Sequence, residues 1–263
     1  IYNELLFTGR GVNILELSDN IFIFQKGFNY SQDGTGNRLV YHLCGCNLKC
    51  PWCSNPEGMT LTEKAEKLSV TDIVKEALSC RMMFIDGGGV TLTGGEVTCQ
   101  KPAVLNLIKE LKENNVHTCI ETNASITDCD DIFSEVDYII ADFKSPFPDK
   151  LKAVTGADIN IIKNNLLYRA KTGKPLLIRI PLINNFNVSP EDAVAFADFF
   201  EFLQKESNND NLFFEILTYH EYGKEKYEKL GKEYTVCDGF VTDNDVKALA
   251  NEIKKRNLKL INT

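Results

Sequence analysis

The residues most able to do chemistry are cysteines. Cys44, Cys46, Cys50 and Cys53 fall within ten residues, in a chain of 263 residues that holds nine cysteines altogether. Three of them read Cys46-x3-Cys50-x2-Cys53. A cubane iron–sulfur cluster accepts thiolates from a loop this short, and three thiolates leave one iron open for a substrate. A closed zinc site wants four ligands, usually two pairs across a longer spacer. Cys44 could be the fourth, but Cys44-Gly45-Cys46 would have to present both thiolates from one tight bend. Disulfides suit the composition poorly: an odd count leaves one thiol unpaired, and a long chain with a tight cysteine cluster reads as a reduced cytosolic protein.

Other polar residues stand where such a centre could use them. Gly94-Gly95-Glu96 exposes backbone to a ligand and offers a carboxylate for an ammonium group. Lys144 and Arg179 could hold a carboxylate, or simply extend their charged heads to water at strand ends. His220 directly follows an apolar strand and is either a ligand contact or a packed, hydrogen-bonded histidine. Glu121 and Thr122 could bind a cation or cap a helix.

The elements that must position these residues alternate between strand-like and helix-like. Apolar or β-branched runs at Arg38–Leu43, Val90–Thr93, Val116–Ile120, Val136–Phe143, Pro175–Leu182, Leu212–Tyr219 and Leu258–Ile261 read as strands. Most are near-continuous, as in parallel strands covered on both faces. Between them, Ser69 and Asp72 open a helix whose Val70, Ile73, Val74, Ala77 and Leu78 share a face. Pro102 opens another with Val104, Leu107, Ile108 and Leu111. Ser189-Pro190-Glu191-Asp192 leads into Ala193–Leu203, and Thr242-Asp243-Asn244-Asp245 into a helix with Val246, Leu249, Ala250 and Ile253 on one side. A helix over Ile161–Lys171 stops at Gly173.

This alternation implies right-handed crossovers and a mostly parallel sheet, open or curled into a barrel. Val12–Leu17 and Ile21–Gln25 read as a β-hairpin added at one edge. The polar stations follow or sit in six successive strands, and carboxyl ends of parallel strands converge on the face where ligands bind. The chain therefore reads as an enzyme with its site on that face. Its 29 Lys+Arg against 37 Asp+Glu give a net charge of −8, which argues against sequence-independent nucleic-acid binding. No apolar run approaches the roughly 20 residues of a membrane span, so no membrane association and a cytoplasmic location are expected.

The cysteine spacing, with aromatic Trp52 before the third cysteine, is similar to the signature of the radical S-adenosylmethionine (SAM) superfamily. Asp33-Gly34-Thr35-Gly36-Asn37-Arg38 resembles the motif that precedes the cluster in its glycyl-radical-enzyme activating enzymes, and the segment from Cys50 to Glu57 resembles their cluster loop. Gly87-Gly88-Gly89-Val90-Thr91 running into Gly94-Gly95-Glu96 also fits that family, as does His117-Thr118-Cys119 leading to Glu121-Thr122-Asn123. So does the C-terminal run Thr218-Tyr219-His220-Glu221-x-Gly223-Lys224-x-Lys226-Tyr227, followed by Leu230-Gly231-Lys232-Glu233-Tyr234. The resemblance extends from about Phe28 to the C-terminus.

The resemblance implies a partial (β/α)6 TIM-like barrel over residues 28–263, with residues 1–27 as the hairpin extension and no ferredoxin-like insertion. It implies one 4Fe–4S cluster held by Cys46, Cys50 and Cys53, with SAM at the open iron. Trp52, Ser54, Asn55, Gly94, Gly95, Glu96, Thr122, Asp142, Lys144, Arg179 and His220 would contact SAM. Glu121, Thr122 and Asp142 fall where the family arranges a monovalent cation. The protein substrate would be a glycyl radical enzyme, a lyase in the first place. Asp33, Gly34, Arg38, Asn184 and Asn185 would face its glycine loop. A flavodoxin or ferredoxin would supply the electron, and a monomer is expected because the active face must receive a large protein. Cys44 and the five scattered cysteines, Cys80, Cys99, Cys119, Cys129 and Cys237, would remain unligated, the five as small apolar packing residues.

Two positions depart from the family pattern. Asn184-Asn185-Phe186-Asn187-Val188 stands where Pro-Gly and Asn-Asp are usual, and Ala124 where glycine is common. Asparagine tolerates left-handed backbone, so the turn can survive, and both changes could tune which partner loop fits. The rival readings are an activator of anaerobic ribonucleotide reductase, a small-molecule radical SAM enzyme and, from another class, a zinc-binding interaction protein.

Overall fold

A computed structural model describes residues 18–262. Among these residues eight strands occur: β1 (Asn20–Tyr30), β2 (Asn37–Leu43), β3 (Glu66–Ser69), β4 (Gly89–Gly94), β5 (Thr118–Thr122), β6 (Tyr138–Asp142), β7 (Leu176–Leu182) and β8 (Leu212–Thr218). They form a sheet in the order β3-β1-β2-β4-β5-β6-β7-β8, so six strands follow one another in chain order as a β/α series requires. The helices are α1 (Val70–Ser79), α2 (Lys101–Glu113), α3 (Asp130–Glu135), α4 (Pro148–Thr155), α5 (Ile159–Lys171), α6 (Pro190–Ser207), α7 (Lys224–Lys229) and α8 (Asp243–Lys255). The fold is α/β with a mostly parallel sheet, as expected. No described helix is long and apolar enough to cross a membrane.

The chain divides into two compact units. One takes the residues up to Asn47, Asn55–Thr122 and Asp128–Ile140; the other takes Leu48–Ser54, Asn123–Thr127 and Ala141–Thr263.

In the first unit β2, β4 and β5 are parallel, with Arg38 opposite Gly89, Leu43 opposite Gly94 and Leu92 opposite Ile120. Cys44, Gly94 and Thr122 therefore lie at the same, carboxyl end. Ile21–Gln25 lies in β1, whose antiparallel ladders are with β2 and β3. The other half of the expected hairpin, Val12–Leu17, lies outside the described residues. Helix α1 buries Val70, Ile73, Val74 and Ala77, and the Ser69 hydroxyl accepts the Asp72 amide at 3.0 Å as its cap.

The Asp33–Arg38 motif occupies the amino end of these strands. Arg38 is fully buried: Nε donates to Thr91 Oγ1 at 2.6 Å, Nη2 to the Val90 carbonyl at 2.8 Å and Nη1 to the Thr35 carbonyl at 3.2 Å. Thr91 Oγ1 in turn donates to the Asp33 carbonyl at 2.7 Å. Gly34 is buried at φ +117, and a Cβ there would sit 3.0 Å from the Arg38 side chain. The expectation that Asp33, Gly34 and Arg38 meet a partner's glycine loop is thus corrected. The motif seals the amino end, several residues along the strands from the cysteines, and Arg38 has no surface to offer.

In the second unit β7 and β8 are parallel and in register from Leu176–Leu212 to Leu182–Thr218. Phe143, Phe196, Phe199, Phe200 and Phe214 form an aromatic core, with Phe200 stacked on Phe214 at 4.4 Å and Phe143 4.8 Å from Phe199. Each such pair adds about 0.5–1.5 kcal/mol beyond the area it buries. Capping boxes begin α6 (Ser189 with Asp192) and α8 (Thr242 with Asp245), and Gly173 follows α5 at φ +72. The expected strand at Leu258–Ile261 is reduced to one bridge, Leu260 to Phe214.

Two predictions follow from these placements. Burial and then the Arg38 guanidinium hold the His117 imidazole below its ordinary value, with Asp137 opposing them. The unfolded chain therefore binds more protons at this site. The stability it contributes is complete above the unfolded pKa of about 6.5 and is lost as pH falls from there through the folded value. Urea midpoints measured from about pH 7 to about pH 5 should fall more steeply for the native chain than for His117→Gln. Ala124 adopts φ +54 and is buried, a left-handed conformation that costs an L-residue about 1–2 kcal/mol. Ala124→Gly should raise the unfolding free energy by about 0.5–1 kcal/mol once the added chain entropy is subtracted.

Candidate active site

At the carboxyl ends of the first unit, three backbone segments are joined directly. The Gly95 amide donates to the Leu43 carbonyl at 2.8 Å, the Glu96 amide to Gly45 at 2.7 Å and the Gly45 amide to Gly58 at 2.8 Å. The Cys46 amide donates to the Met59 carbonyl at 3.0 Å. A Cβ on Gly95 would lie 2.2 Å from the Gly45 carbonyl oxygen, and one on Gly94, at φ +110, would lie 2.4 Å from the Leu43 nitrogen. Both glycines are therefore required by close approach and not only by a turn. Asn55 precedes the short helix Pro56–Met59, and its carbonyl accepts the Gly58 amide at 3.0 Å. Cys46 and Asn55 thus leave and enter the unit at fixed points.

Glu96 turns its carboxylate inward. Its side chain is fully buried, and Oε1 accepts the Thr98 amide at 3.0 Å, the Thr98 hydroxyl at 2.6 Å and the Thr122 hydroxyl at 2.7 Å. The expected ammonium receptor is instead a clasp between the ends of β4 and β5, and the Gly94-Gly95 backbone is what remains for a ligand. Glu121 accepts the Thr93 hydroxyl at 2.7 Å. Gln100 also escaped the sequence reading. It is buried, and its amide group bonds Phe22 through both backbone groups at 2.8 Å and the Cys44 carbonyl at 2.9 Å.

The second unit carries the rest of the cysteine loop, Leu48–Ser54. The Cys53 amide donates to the Cys50 carbonyl at 3.2 Å, closing a turn that puts both cysteines on one short bend. The C-terminal segment supports it from below: the Tyr227 hydroxyl donates to the Cys50 carbonyl at 3.3 Å. A Cβ on Gly223 would lie 2.0 Å from the Cys53 carbonyl oxygen. Trp52 packs on Phe186 at 4.9 Å within a cluster that includes Ile183, Tyr219 and Tyr234. Burial pushes the Cys50 thiol up to about 11, against the opposing pull of the Lys144 ammonium.

Charged groups line the same unit. Lys144 pairs with Asp142 at 2.9 Å. Arg179 pairs through Nε with Glu215 at 2.7 Å, directly across the β7–β8 ladder. His220 stacks on Tyr222 at 3.9 Å, and burial holds its imidazole below the ordinary value, so it is neutral at pH 7. The Asn184-Asn185 turn survives the loss of the family's proline and glycine. Asn185 takes φ +61, and Asn184 Nδ2 donates to Asp238 Oδ2 at 2.9 Å. Asn187, buried, bonds the Ile183 amide and the Lys144 and Pro181 carbonyls, each at 2.8 Å. Glu215 could have been found in sequence: two apolar strands each hold a single charge, of opposite sign.

None of the nine cysteines is in a disulfide. Cys44 is buried in the first unit, and Cys99, Cys119 and Cys129 are core residues. Cys237 is exposed and corrects the expectation that it packs in the interior. Among the described residues no group of three or more His, Cys, Asp or Glu converges to hold a metal ion. The expected cation residues are engaged separately, Thr122 with Glu96, Glu121 with Thr93 and Asp142 with Lys144. A polynuclear cluster needs no such convergence on one ion, because each thiolate takes a different iron.

A family model described as the radical SAM superfamily matches residues 40–197. A pyruvate formate-lyase-activating enzyme of Staphylococcus aureus (strain USA300) is 32% identical over 226 residues, 82% of this chain and 88% of that protein. Among solved structures, a domain of a pyruvate-formate lyase-activating enzyme from Bacteroides vulgatus superposes with a TM-score of 0.54 at 18% identity, covering 66% of this chain and 98% of that one. Streptococcus suis SuiB bound to its precursor peptide SuiA superposes with a TM-score of 0.60 at 18% identity, covering 84% of this chain and 46% of that one. At these identities the structures speak for the fold.

The Gly223 contact yields a prediction that requires no ligand. Gly223→Ala should displace the cysteine bend and lower the unfolding free energy by about 1–3 kcal/mol. It should also red-shift the emission of Trp52, the single tryptophan. Gly27→Ala, whose Cβ would meet nothing within 4 Å, is the control and should leave the spectrum unchanged. An unshifted spectrum in Gly223→Ala would show that the bend does not depend on the C-terminal segment.

Proposed function

The chain belongs to the radical SAM superfamily, and we propose that within it this enzyme activates a glycyl radical enzyme, with pyruvate formate-lyase as the first candidate partner. Its cofactors are a 4Fe–4S cluster and SAM. Bound in the site, the cluster supplies the electron that cleaves SAM to methionine and the 5′-deoxyadenosyl radical, which takes a hydrogen atom from a glycine Cα of the partner. The observation that carries the reading is the set of three cysteines outside any disulfide, Cys46, Cys50 and Cys53, in a loop fixed at both ends. These donors suit three irons of a cubane and leave the fourth for SAM.

The protein's own residues then divide the work. Cys50 must release its proton to become a ligand, and the Lys144 ammonium favours the thiolate. The Gly94-Gly95 backbone receives the methionine end of SAM, held in place by the Glu96 clasp. Lys144 and Arg179 bind the carboxylate, and Trp52, Ser54, Asn55, Thr122, Asp142 and His220 line the cofactor. Glu121, Thr122 and Asp142 are the residues for a monovalent cation. Asn184 and Asn185, tied to Asp238, border the entry of the partner's glycine loop. Cysteines outside any disulfide fit a reducing cytoplasm. A flavodoxin or ferredoxin as donor and a monomeric enzyme complete the reading.

Anaerobic reconstitution with iron and sulfide tests it. The native chain should acquire a broad brown absorbance, form 5′-deoxyadenosine from SAM on reduction, and raise a glycyl radical signal by electron paramagnetic resonance in pyruvate formate-lyase. Cys46→Ala, Cys50→Ala and Cys53→Ala should each lose the absorbance and the cleavage, whereas Cys44→Ala and Cys237→Ala keep both. Cleavage with no radical in any candidate lyase would move the assignment to a ribonucleotide reductase activator or a small-molecule enzyme. A colourless protein holding zinc would end it.

A further inference from the structure

We propose that Glu215 is a positioning residue that sets the guanidinium of Arg179 for the carboxylate of SAM; this rests on the reading of Arg179 as a SAM contact. Each is the single charged residue of its strand, and the two stand opposite one another in the β7–β8 register. Arg179 Nε donates to Glu215 Oε2 at 2.7 Å, with the side chains 11% and 3% exposed. On β7 the flanking Ile178 and Ile180 are fully buried, while Arg179 and Pro181 are only partly so. Arg179 therefore lies on the less covered face of the strand.

The geometry limits how Arg179 can be used. A guanidinium is a flat fork, and with Nε committed to Glu215 an incoming carboxylate must approach the terminal nitrogens. A long arginine side chain otherwise loses rotamer freedom on binding a ligand. Here that loss has been incurred in folding, because the pair is locked across a parallel ladder. Lys144 has the same arrangement on a smaller scale, with Asp142 two residues away holding its ammonium at 2.9 Å.

A role in aiming can be separated from a role in charge balance. Glu215→Gln keeps an oxygen in the position that accepts from Nε but removes the charge. Glu215→Asp keeps the charge but withdraws the oxygen by one methylene. Dissociation constants for SAM are measured by anaerobic calorimetry on reconstituted, unreduced enzyme, where nothing turns over. Positioning predicts that Glu215→Gln binds SAM within about threefold of the native enzyme and that Glu215→Asp binds at least about tenfold more weakly. The opposite order, with Glu215→Gln weak and Glu215→Asp near native, overturns the proposal.

In an Arg179→Ala background Glu215→Asp should add no further loss. A second tenfold loss there would mean that Glu215 acts through the fold and not through Arg179. If Arg179→Ala alone leaves SAM affinity unchanged, the premise that Arg179 contacts SAM fails, an outcome distinct from failure of the pairing. Should Glu215→Asp not fold by circular dichroism, Glu215→Gln decides alone: near-native affinity supports positioning and a tenfold loss overturns it.

Discussion

Backbone meeting backbone with no side chain between is the constraint on which the carboxyl end of the first unit depends. Gly45, Gly58, Gly94 and Gly95 bring three segments together, and four amide-to-carbonyl bonds of 2.7–3.0 Å join them. A methyl group on Gly95 would intrude to 2.2 Å of one carbonyl oxygen, which backbone cannot yield to. The same seam fixes Cys46 and the Pro56–Met59 turn, the points where the cysteine loop leaves and rejoins the unit. Any freedom in the loop therefore lies between Asn47 and Asn55. The glycines that read in sequence as a ligand-binding turn are first a structural necessity, and their exposed backbone is a consequence.

Polar groups in the interior do a second kind of work. A buried ion pair is weak evidence for stability, since desolvation offsets much of the attraction. Arg179–Glu215, with both side chains nearly closed to solvent, is better understood through orientation than through net energy. Glu96 behaves likewise: three hydrogen bonds on Oε1 tie Thr98 and Thr122 to one buried oxygen, linking the ends of two strands. Asn187 does for the turn after β7 what Gln100 does for the start of the cysteine loop. Each is a buried amide that satisfies three backbone groups the irregular chain would leave unpaired.

The legible part of the fold was the part with a period. The strands β2, β4, β7 and β8 and the helices α1, α2, α6 and α8 announce themselves by runs and spacing, with Ser/Thr–Asp caps at α1, α6 and α8 and a proline opening α2. The short elements β3, α3, α4 and α7, none longer than eight residues, carry too few turns to show a stripe. Leu258–Ile261 has strand composition but finds only one bridge, because composition does not supply a neighbour. In the site, residue types and spacing were readable, whereas the direction of a side chain was not. Glu96 looked like a ligand because a carboxylate after two glycines usually faces outward. It turns inward because Thr98 and Thr122, one local and one a strand away, both reach it. Arg38 was misplaced for the related reason that a motif's position along a parallel strand decides which end of the sheet it serves.

The cysteines show how burial sets chemical state. Cys44 and Cys50 are both buried and both pushed up to about 11 by desolvation, yet their surroundings differ. Around Cys44 the neighbouring backbone is already sewn to Phe22 and Gln100, so the thiol is a core side chain that stays protonated. Around Cys50 the carbonyl is held by Tyr227, and a cation, Lys144, pulls the thiol toward ionisation. A thiol protonated at neutral pH in the absence of metal resists disulfide exchange and oxidation, because the thiolate is the reactive form. Burial thus keeps the Cys50 thiol in its unreactive form, and the bend that buries it is held from the C-terminal side by Tyr227.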